Sequence, residues 1–218
     1  MCLVSQSSKY RSDRIVSGLR IGLLGGSFNP AHRGHIHISQ MALRQLNLDQ
    51  VWWLVSPKNP LKNRSEMAPF HQRFGYAAHL TRLNRSIVVS DYERSIKTAY
   101  TAETLTRITD DYPDCSFVWL MGRDNWLTIH LWDQWRTIFN TVPVAVFPRR
   151  LNLFDAVRRA PADLLYDTNF YPPTRNFISR STPAWTELQM PELNISATEL
   201  RRNNTVAWSS ANHRQVSV

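Results

Sequence analysis

Apolar residues recur along this chain in short compact runs, and the stretches between the runs carry helical spacing. Leu19-Arg20-Ile21-Gly22-Leu23-Leu24 has the length and apolar character of a buried parallel strand, which Gly25-Gly26 ends. Ile38, Ala42, Leu43 and Leu46 then recur at helical spacing, so a helix is predicted from near His32 to Gly34 to about Asn47. Val51 to Val55 reads as a second strand, followed by the polar, basic loop Lys58 to Arg64. Pro69 opens a helix whose buried face is Phe70, Phe74, Ala77, Ala78 and Leu80, and Ser86 to Ser90 is a third strand.

The alternation continues through the middle of the chain. Ala99 to Asp110 is a helix with Thr98 or Thr101 as N-cap, and Phe117 to Met121 is a fourth strand, stopped by Gly122. Trp126 to Phe139 reads as one helix, and Val142 to Phe147 as a fifth strand whose proline suits an edge or a strand start. Beyond Phe147 the pattern weakens. Phe154 to Arg159 is a short helix, Asp167 to Pro183 a loop, and Trp185 to Met190 a late strand. Ile195 to Arg202 starts another helix, with Ser196 as N-cap and Glu199 at capping-box spacing.

Strands alternating with helices predict an α/β fold: a Rossmann-like, doubly wound, mostly parallel sheet with helices on both faces. Ligands bind such sheets at the carboxyl ends of the strands. The distinctive loops Gly25 to Gly34, Pro57 to Arg64 and Gly122-Arg123-Asp124 all follow strands, and are predicted to converge on one cleft.

Length and charge change this picture little. With 218 residues, the chain holds one well-buried domain, read as 19–202, between a flexible basic tail (1–18) and a polar C-terminal tail (203–218). Two cysteines make neither a disulfide framework nor a zinc cluster, which points to a reducing, cytoplasmic location. No apolar run suggests secretion or membrane spanning. The net charge of +9 raises the prior for a polyanionic partner, but the basic residues are dispersed. Small phosphorylated substrates account for them as well as a nucleic acid does.

The candidate chemistry lies at the first strand-to-helix junction. His32 and His35 share a face of the helix's first turn, where unpaired N–H groups and the helix dipole attract anions. GxGxxG and P-loop patterns are absent, which sets aside dehydrogenase and P-loop NTPase readings. Without HExxH or a cluster of further ligands, metal ligation by the pair is also set aside. His37 points elsewhere on the helix and reads as a packing or surface residue.

Gly25 to His35, GGSFNPAHRGH, resembles the GGTFDPxHxGH signature of the nucleotidyltransferase superfamily, and Ile195 to Arg201, ISATELR, resembles its second signature, ISxTxxR. Within that superfamily the chain is similar to the bacterial nicotinate mononucleotide adenylyltransferases. Ala99 to Leu105 is similar to their SYTxxTL segment, and Met121 to Asp124 matches their GxD turn. Trp132 falls where they place a substrate-stacking tryptophan.

The resemblance implies transfer of the adenylyl group of ATP, with Mg²⁺, to nicotinate mononucleotide, without membrane or nucleic-acid partners. His32 and His35 would be catalytic phosphate donors. Gly25, Gly26, Ser27 and Phe28, with Ser196, Thr198 and Arg201, would bind ATP and its phosphates. Lys62, Thr101 and Trp132 would bind the acceptor, and Gly122 and Asp124 a ribose. No residue is assigned to metal.

Three departures from the family pattern stand out. Asn29 replaces an aspartate, the basic loop lacks its histidine, and no terminal helix pattern follows Arg202. Another phosphorylated acceptor, such as nicotinamide mononucleotide or phosphopantetheine, stays open, as do a non-catalytic nucleic-acid-binding module and a homo-oligomer.

Overall fold

The computed structural model describes residues 18–57, 67–148 and 160–190. Six strands form one all-parallel sheet: β1 (Arg20–Gly26), β2 (Gln50–Val55), β3 (Ile87–Ser90), β4 (Ser116–Gly122), β5 (Val144–Phe147) and β6 (Trp185–Glu187). Their order across the sheet is β3-β2-β1-β4-β5-β6, the doubly wound arrangement that alternating strands and helices predict. The chain reverses direction across the sheet between β1 and β4, which places a crevice at their carboxyl ends.

Successive side chains of a strand point to opposite faces, and the core divides accordingly. Ile21, Leu23, Trp52, Leu54, Trp119, Met121 and Val146 pack on one face under α4 (Thr101–Asp111), α5 (Arg123–Thr128), α6 (Trp135–Thr141) and α7 (Pro161–Leu165). Leu24, Val51, Trp53, Val55, Val118, Leu120 and Ala145 face the other way, under α1 (Arg33–Gln45) and α2 (Phe70–Thr81). A four-residue helix, α3 (Tyr92–Ser95), follows β3 and has no counterpart in the sequence pattern, being too short to show a period.

Several predicted boundaries move, each for a physical reason. β1 runs on through Gly25 and Gly26, which pair with Leu54 and Val55 of β2. Gly25 does not break the strand: a Cβ there would lie 2.3 Å from the Trp119 ring, so the glycine lets β4's tryptophan lie across β1. α1 stops at Gln45, and Asn47 adopts φ +52, a left-handed helix exit that asparagine tolerates. Tyr100, not Thr98 or Thr101, is the N-cap of α4. Pro143 lies just before β5, which is an inner strand between β4 and β6, so of the two proline readings the strand start holds. β6 ends at Glu187.

The helix predicted over Trp126 to Phe139 is broken. α5 gives way to a 3₁₀ turn at Ile129–Leu131, and α6 restarts after Gln134, whose φ is +47. The apolar positions sit on both pieces, so periodicity could not reveal the interruption. The predicted loop Asp167 to Pro183 includes short 3₁₀ turns at Asp167–Asn169 and Phe177–Ser179, and Phe177 is fully buried. The helices read at Phe154 to Arg159 and at Ile195 lie outside the described residues.

Candidate active site

The carboxyl ends of β1, β2 and β4 border a cleft of about 500 Å³. Its lining comes from Gly25, Gly26 and Ser27 after β1, Ser56 after β2, and Glu93 of α3. Ala99, Tyr100 and Thr101 contribute the start of α4, Trp119 to Met121 the end of β4, Asn125 and Thr128 of α5 the next wall, and Leu131 to Gln134 the break before α6. That break therefore brings four consecutive residues, Trp132 among them, to the cleft. His32 and His35 stand outside this lining, joined to it by the loop that begins at Ser27.

At the start of α1 the two histidines cap the helix reciprocally. His32, the N-cap residue in extended backbone, accepts at Nδ1 from the Gly34 N–H at 3.2 Å. His35 Nδ1 accepts from the His32 N–H at 3.1 Å. Two of the N–H groups orphaned at the helix start are thereby satisfied. An Nδ1 that accepts carries no proton, so each neutral ring has its hydrogen on Nε2. The cap thus makes both histidines Nε2–H donors. Their ring centroids are 3.9 Å apart.

Buried contacts hold this turn in place. Ser39 donates to the His35 carbonyl at 2.8 Å and accepts from the Trp53 indole at 2.8 Å, tying α1 to β2. Phe28, 2 % exposed, stacks on Trp53 with centroids 5.0 Å apart and packs against His35 at 4.9 Å. Its φ of +46 is a left-handed conformation that a bulky residue adopts only when its surroundings enforce it.

Arg73 of α2, 1 % exposed, donates to the carbonyls of Ser27, of Ser56 (3.0 Å) and of Ala68 (2.9 Å). It joins the loops after β1 and β2 from below. Burial lowers its pKa from the usual guanidinium value. Asn29 Oδ1 accepts from the Ala68 N–H at 3.1 Å, a role that a carboxylate oxygen would also fill, so the Asn-for-Asp departure leaves the acceptor in place.

Opposite elements are braced through two carboxylates. Thr98 accepts from the Tyr100 N–H at 3.2 Å and donates to Glu103 Oε2 at 2.6 Å, which shapes the approach to α4. Asp163 of α7 takes Arg123 in a two-pronged pair at 3.1 and 3.2 Å, and also accepts from the Trp126 indole and the Ala160 N–H. This network holds α5, and with it Asn125 and Thr128, against α7.

The structure brings Gly25, Gly26, Ser27, Thr101 and Trp132 to one cleft. Phe28 lies behind the histidines, and its buried side chain packs rather than lines. Gly122 ends β4 as the N-cap of α5, and Asp124 stands in the first turn of that helix, whereas the lining there comes from Asn125 and Thr128. Lys62, Ser196, Thr198 and Arg201 lie outside the described residues. Nothing local in the sequence marks Glu93, Ser56 or Arg73, since a polar side chain brought to a site or buried by distant elements looks like a solvated one in its own segment. Among the described residues no group of three or more His, Cys, Asp or Glu could hold a metal ion, and no helix is long and apolar enough to cross a membrane.

Comparison with known proteins places this geometry in a family. A family model described as cytidylyltransferase-like matches residues 23–203. A protein of Parvibaculum lavamentivorans named "Probable nicotinate-nucleotide adenylyltransferase" is 44% identical over 200 residues, covering 91% of this chain and 98% of that one. A Gluconobacter oxydans protein of the same name is 43% identical over 188 residues, covering 85% of this chain and 95% of its own length. The fold is shared with the structure of Plasmodium falciparum nicotinic acid mononucleotide adenylyltransferase complexed with NaAD, at a TM-score of 0.62 and 17% identity, covering 84% of this chain and 83% of that one. With matches that run nearly end to end at this identity, the chain belongs to the cytidylyltransferase-like family and, within it, to the nicotinate-nucleotide adenylyltransferases.

Proposed function

We propose that this protein transfers the adenylyl group of ATP to nicotinate mononucleotide, forming deamido-NAD and pyrophosphate in NAD biosynthesis. The observation that carries the reading is the near full-length likeness to relatives bearing that name, joined to a histidine-capped helix start beside a cleft at the β1/β4 switch point.

In the reaction a phosphate oxygen of the mononucleotide attacks the α-phosphorus of ATP. The new P–O bond forms as the bond from the α-phosphorus to its bridging oxygen breaks, and the electron pair leaves with pyrophosphate. No covalent enzyme intermediate is required, so catalysis consists of alignment and of neutralising the charge that develops on the phosphates. His32 and His35, fixed as Nε2–H donors, supply hydrogen bonds to the reacting phosphates at the positive end of α1. Ser27 and the glycine-lined end of β1 let the phosphates approach the backbone closely.

Trp132 stacks on the pyridine ring, and Thr101 with the first N–H groups of α4 receives its carboxylate. Asp124 takes a ribose hydroxyl. Lys62 contacts the acceptor, and Ser196, Thr198 and Arg201 take the β,γ end of ATP, Arg201 by bidentate contact; these roles rest on the resemblance of their motifs alone. Mg²⁺ bound to ATP would lower the charge of the triphosphate. Among the described residues no group of three or more His, Cys, Asp or Glu could hold the ion apart from ATP. ATP as a substrate and the low cysteine usage favour the cytoplasm as the site of action.

The test is release of pyrophosphate when the purified protein is incubated with ATP, Mg²⁺ and nicotinate mononucleotide. Nicotinamide mononucleotide and phosphopantetheine serve as competing acceptors. A pure, folded protein that releases no pyrophosphate with nicotinate mononucleotide overturns the proposal.

A further inference from the structure

Two buried polar atoms in the cleft have no place in the chemistry above. Glu93 is 5 % exposed and lines the cleft with Ser27, Ser56 and Thr101. Its carboxyl is hydrogen-bonded to the Ser56 side chain, while Oε2 has no hydrogen-bond partner among the described residues. The indole Nε1 of Trp119, a residue 2 % exposed that lines the same cleft, also lacks a partner among them. Buried polar atoms are almost always satisfied, and those that border a cavity are placed to contact its occupant.

We infer that Glu93 binds the acceptor nucleotide as an uncharged carboxylic acid, presenting an O–H to an anionic ligand. This rests on reading the cleft as the acceptor site. A volume of about 500 Å³ corresponds to a sphere roughly 10 Å across, about one Debye length, so a charge on the occupant stands within screening range of Glu93. An ionised Glu93 would repel an acceptor that carries both a phosphate and a ring carboxylate, whereas the protonated form donates a hydrogen bond to it.

The protein has already prepared that form. Burial pushes the Glu93 carboxyl up to about 7, with the Ser56 hydrogen bond opposing. The surrounding charges are engaged elsewhere or exposed to solvent. Arg73 of α2 sits on the Ser56 carbonyl, Arg94 of the same short helix lies over the Phe70 ring, Glu103 of α4 pairs with Arg107, and Asp133 at the rim is exposed.

Binding of the anion above neutral pH must then draw a proton from solvent. Calorimetric titration of the full chain with nicotinate mononucleotide alone, at pH 8 in two buffers of different ionisation enthalpy, should show uptake of about 0.9 proton per ligand for a group of pKa about 7. Glu93→Gln, isosteric with the neutral acid, should abolish it. In turnover, the ratio of wild-type to Glu93→Gln KM for the mononucleotide should rise about tenfold from pH 6 to pH 8, the comparison cancelling the substrate's own phosphate titration.

Ser56→Ala removes the bond that holds the carboxyl down, so the pH at which KM climbs should move upward. This variant reads the same titration if Glu93→Gln does not fold. Binding without proton uptake, or a KM ratio flat with pH, overturns the inference even where pyrophosphate is released. Proton-coupled binding without pyrophosphate release overturns the proposed reaction and leaves Glu93 in place.

Discussion

His35 holds the backbone of His32, and His32 that of Gly34: the Nδ1 of His35 accepts from the His32 N–H at 3.1 Å, while the Nδ1 of His32 accepts from the Gly34 N–H at 3.2 Å. Each side chain therefore spends one ring nitrogen, Nδ1, on the cap. Nδ1 closes the first turn of α1, and the hydrogen of each neutral ring lies on Nε2, the donor that the proposed reaction needs. A histidine at each position satisfies both demands, which a serine cap would not.

Replacing His35 by alanine removes one donor and one half of the cap. Turnover is expected to fall about 10²-fold or more if a transition-state donor is lost, with a stability loss of about 1 kcal/mol from the cap. Steady-state kinetics beside a denaturant titration separates the two effects. Near-normal turnover would refute the catalytic role of His35.

Trp132 reaches the cleft only because the helix is interrupted before Trp135. Trp132→Ala should raise the KM for the acceptor roughly tenfold through lost stacking and leave the KM for ATP nearly unchanged. An equal rise in both constants would mean that the tryptophan supports the fold of the Leu131 to Gln134 segment instead of the ring.

Arg73 satisfies three carbonyls from beneath the site. Arg73→Met fills the space but leaves buried acceptors unpaired, at a cost of about 3 kcal/mol. For a chain of this size that corresponds to a melting temperature lower by roughly 10 °C. A variant as stable as wild type would show that the loops after β1 and β2 do not depend on this brace.

Gly25→Ala places a methyl 2.3 Å from the Trp119 ring. Accommodation requires the ring to shift, at about 1–3 kcal/mol for an overpacked core. Since Trp119 lines the cleft, substrate affinity should fall along with stability. Trp119→Phe in the same chain should restore part of the stability, and failure to do so would place the strain elsewhere.

Glu93 also makes stability depend on pH. Its carboxyl is raised from 4.5 to about 7 by burial, so between those values the folded state binds more protons than the unfolded one. Stability from this group is therefore fully present below the unfolded pKa and is lost as pH rises through 7, by about 3 kcal/mol in total. Denaturant titrations of the wild-type protein at pH 5 and pH 8 should show this decline, and Glu93→Gln should flatten it. Parallel curves for the two proteins would remove Glu93 as its source.

The parts of the site legible in the sequence are those whose geometry is local. His32, Gly34 and His35 lie within one helical turn, and strand-then-helix alternation placed them at the carboxyl end of a strand. Trp132 and Thr101 came from resemblance, because neither tryptophan stacking nor threonine capping is distinctive in a chain with eight tryptophans. Glu93 and Arg73 could not be read at all. Each is an ordinary polar residue in its own segment, and becomes buried only when α2 and α3 pack beneath loops from distant strands.

The sequence by itself determined the alternation of strands and helices, the parallel sheet that follows from it, and the anion-attracting start of α1, because those depend on side-chain period and on contacts a few residues apart. The tertiary structure alone decided that Gly25 serves Trp119 and not a turn, that the helix over Trp126 to Phe139 breaks to face the cleft, and that a carboxyl at Glu93 loses its solvent. Each of these depends on what lies across the sheet or beneath the loop, and burial by distant elements leaves no periodic trace in the segment that is buried.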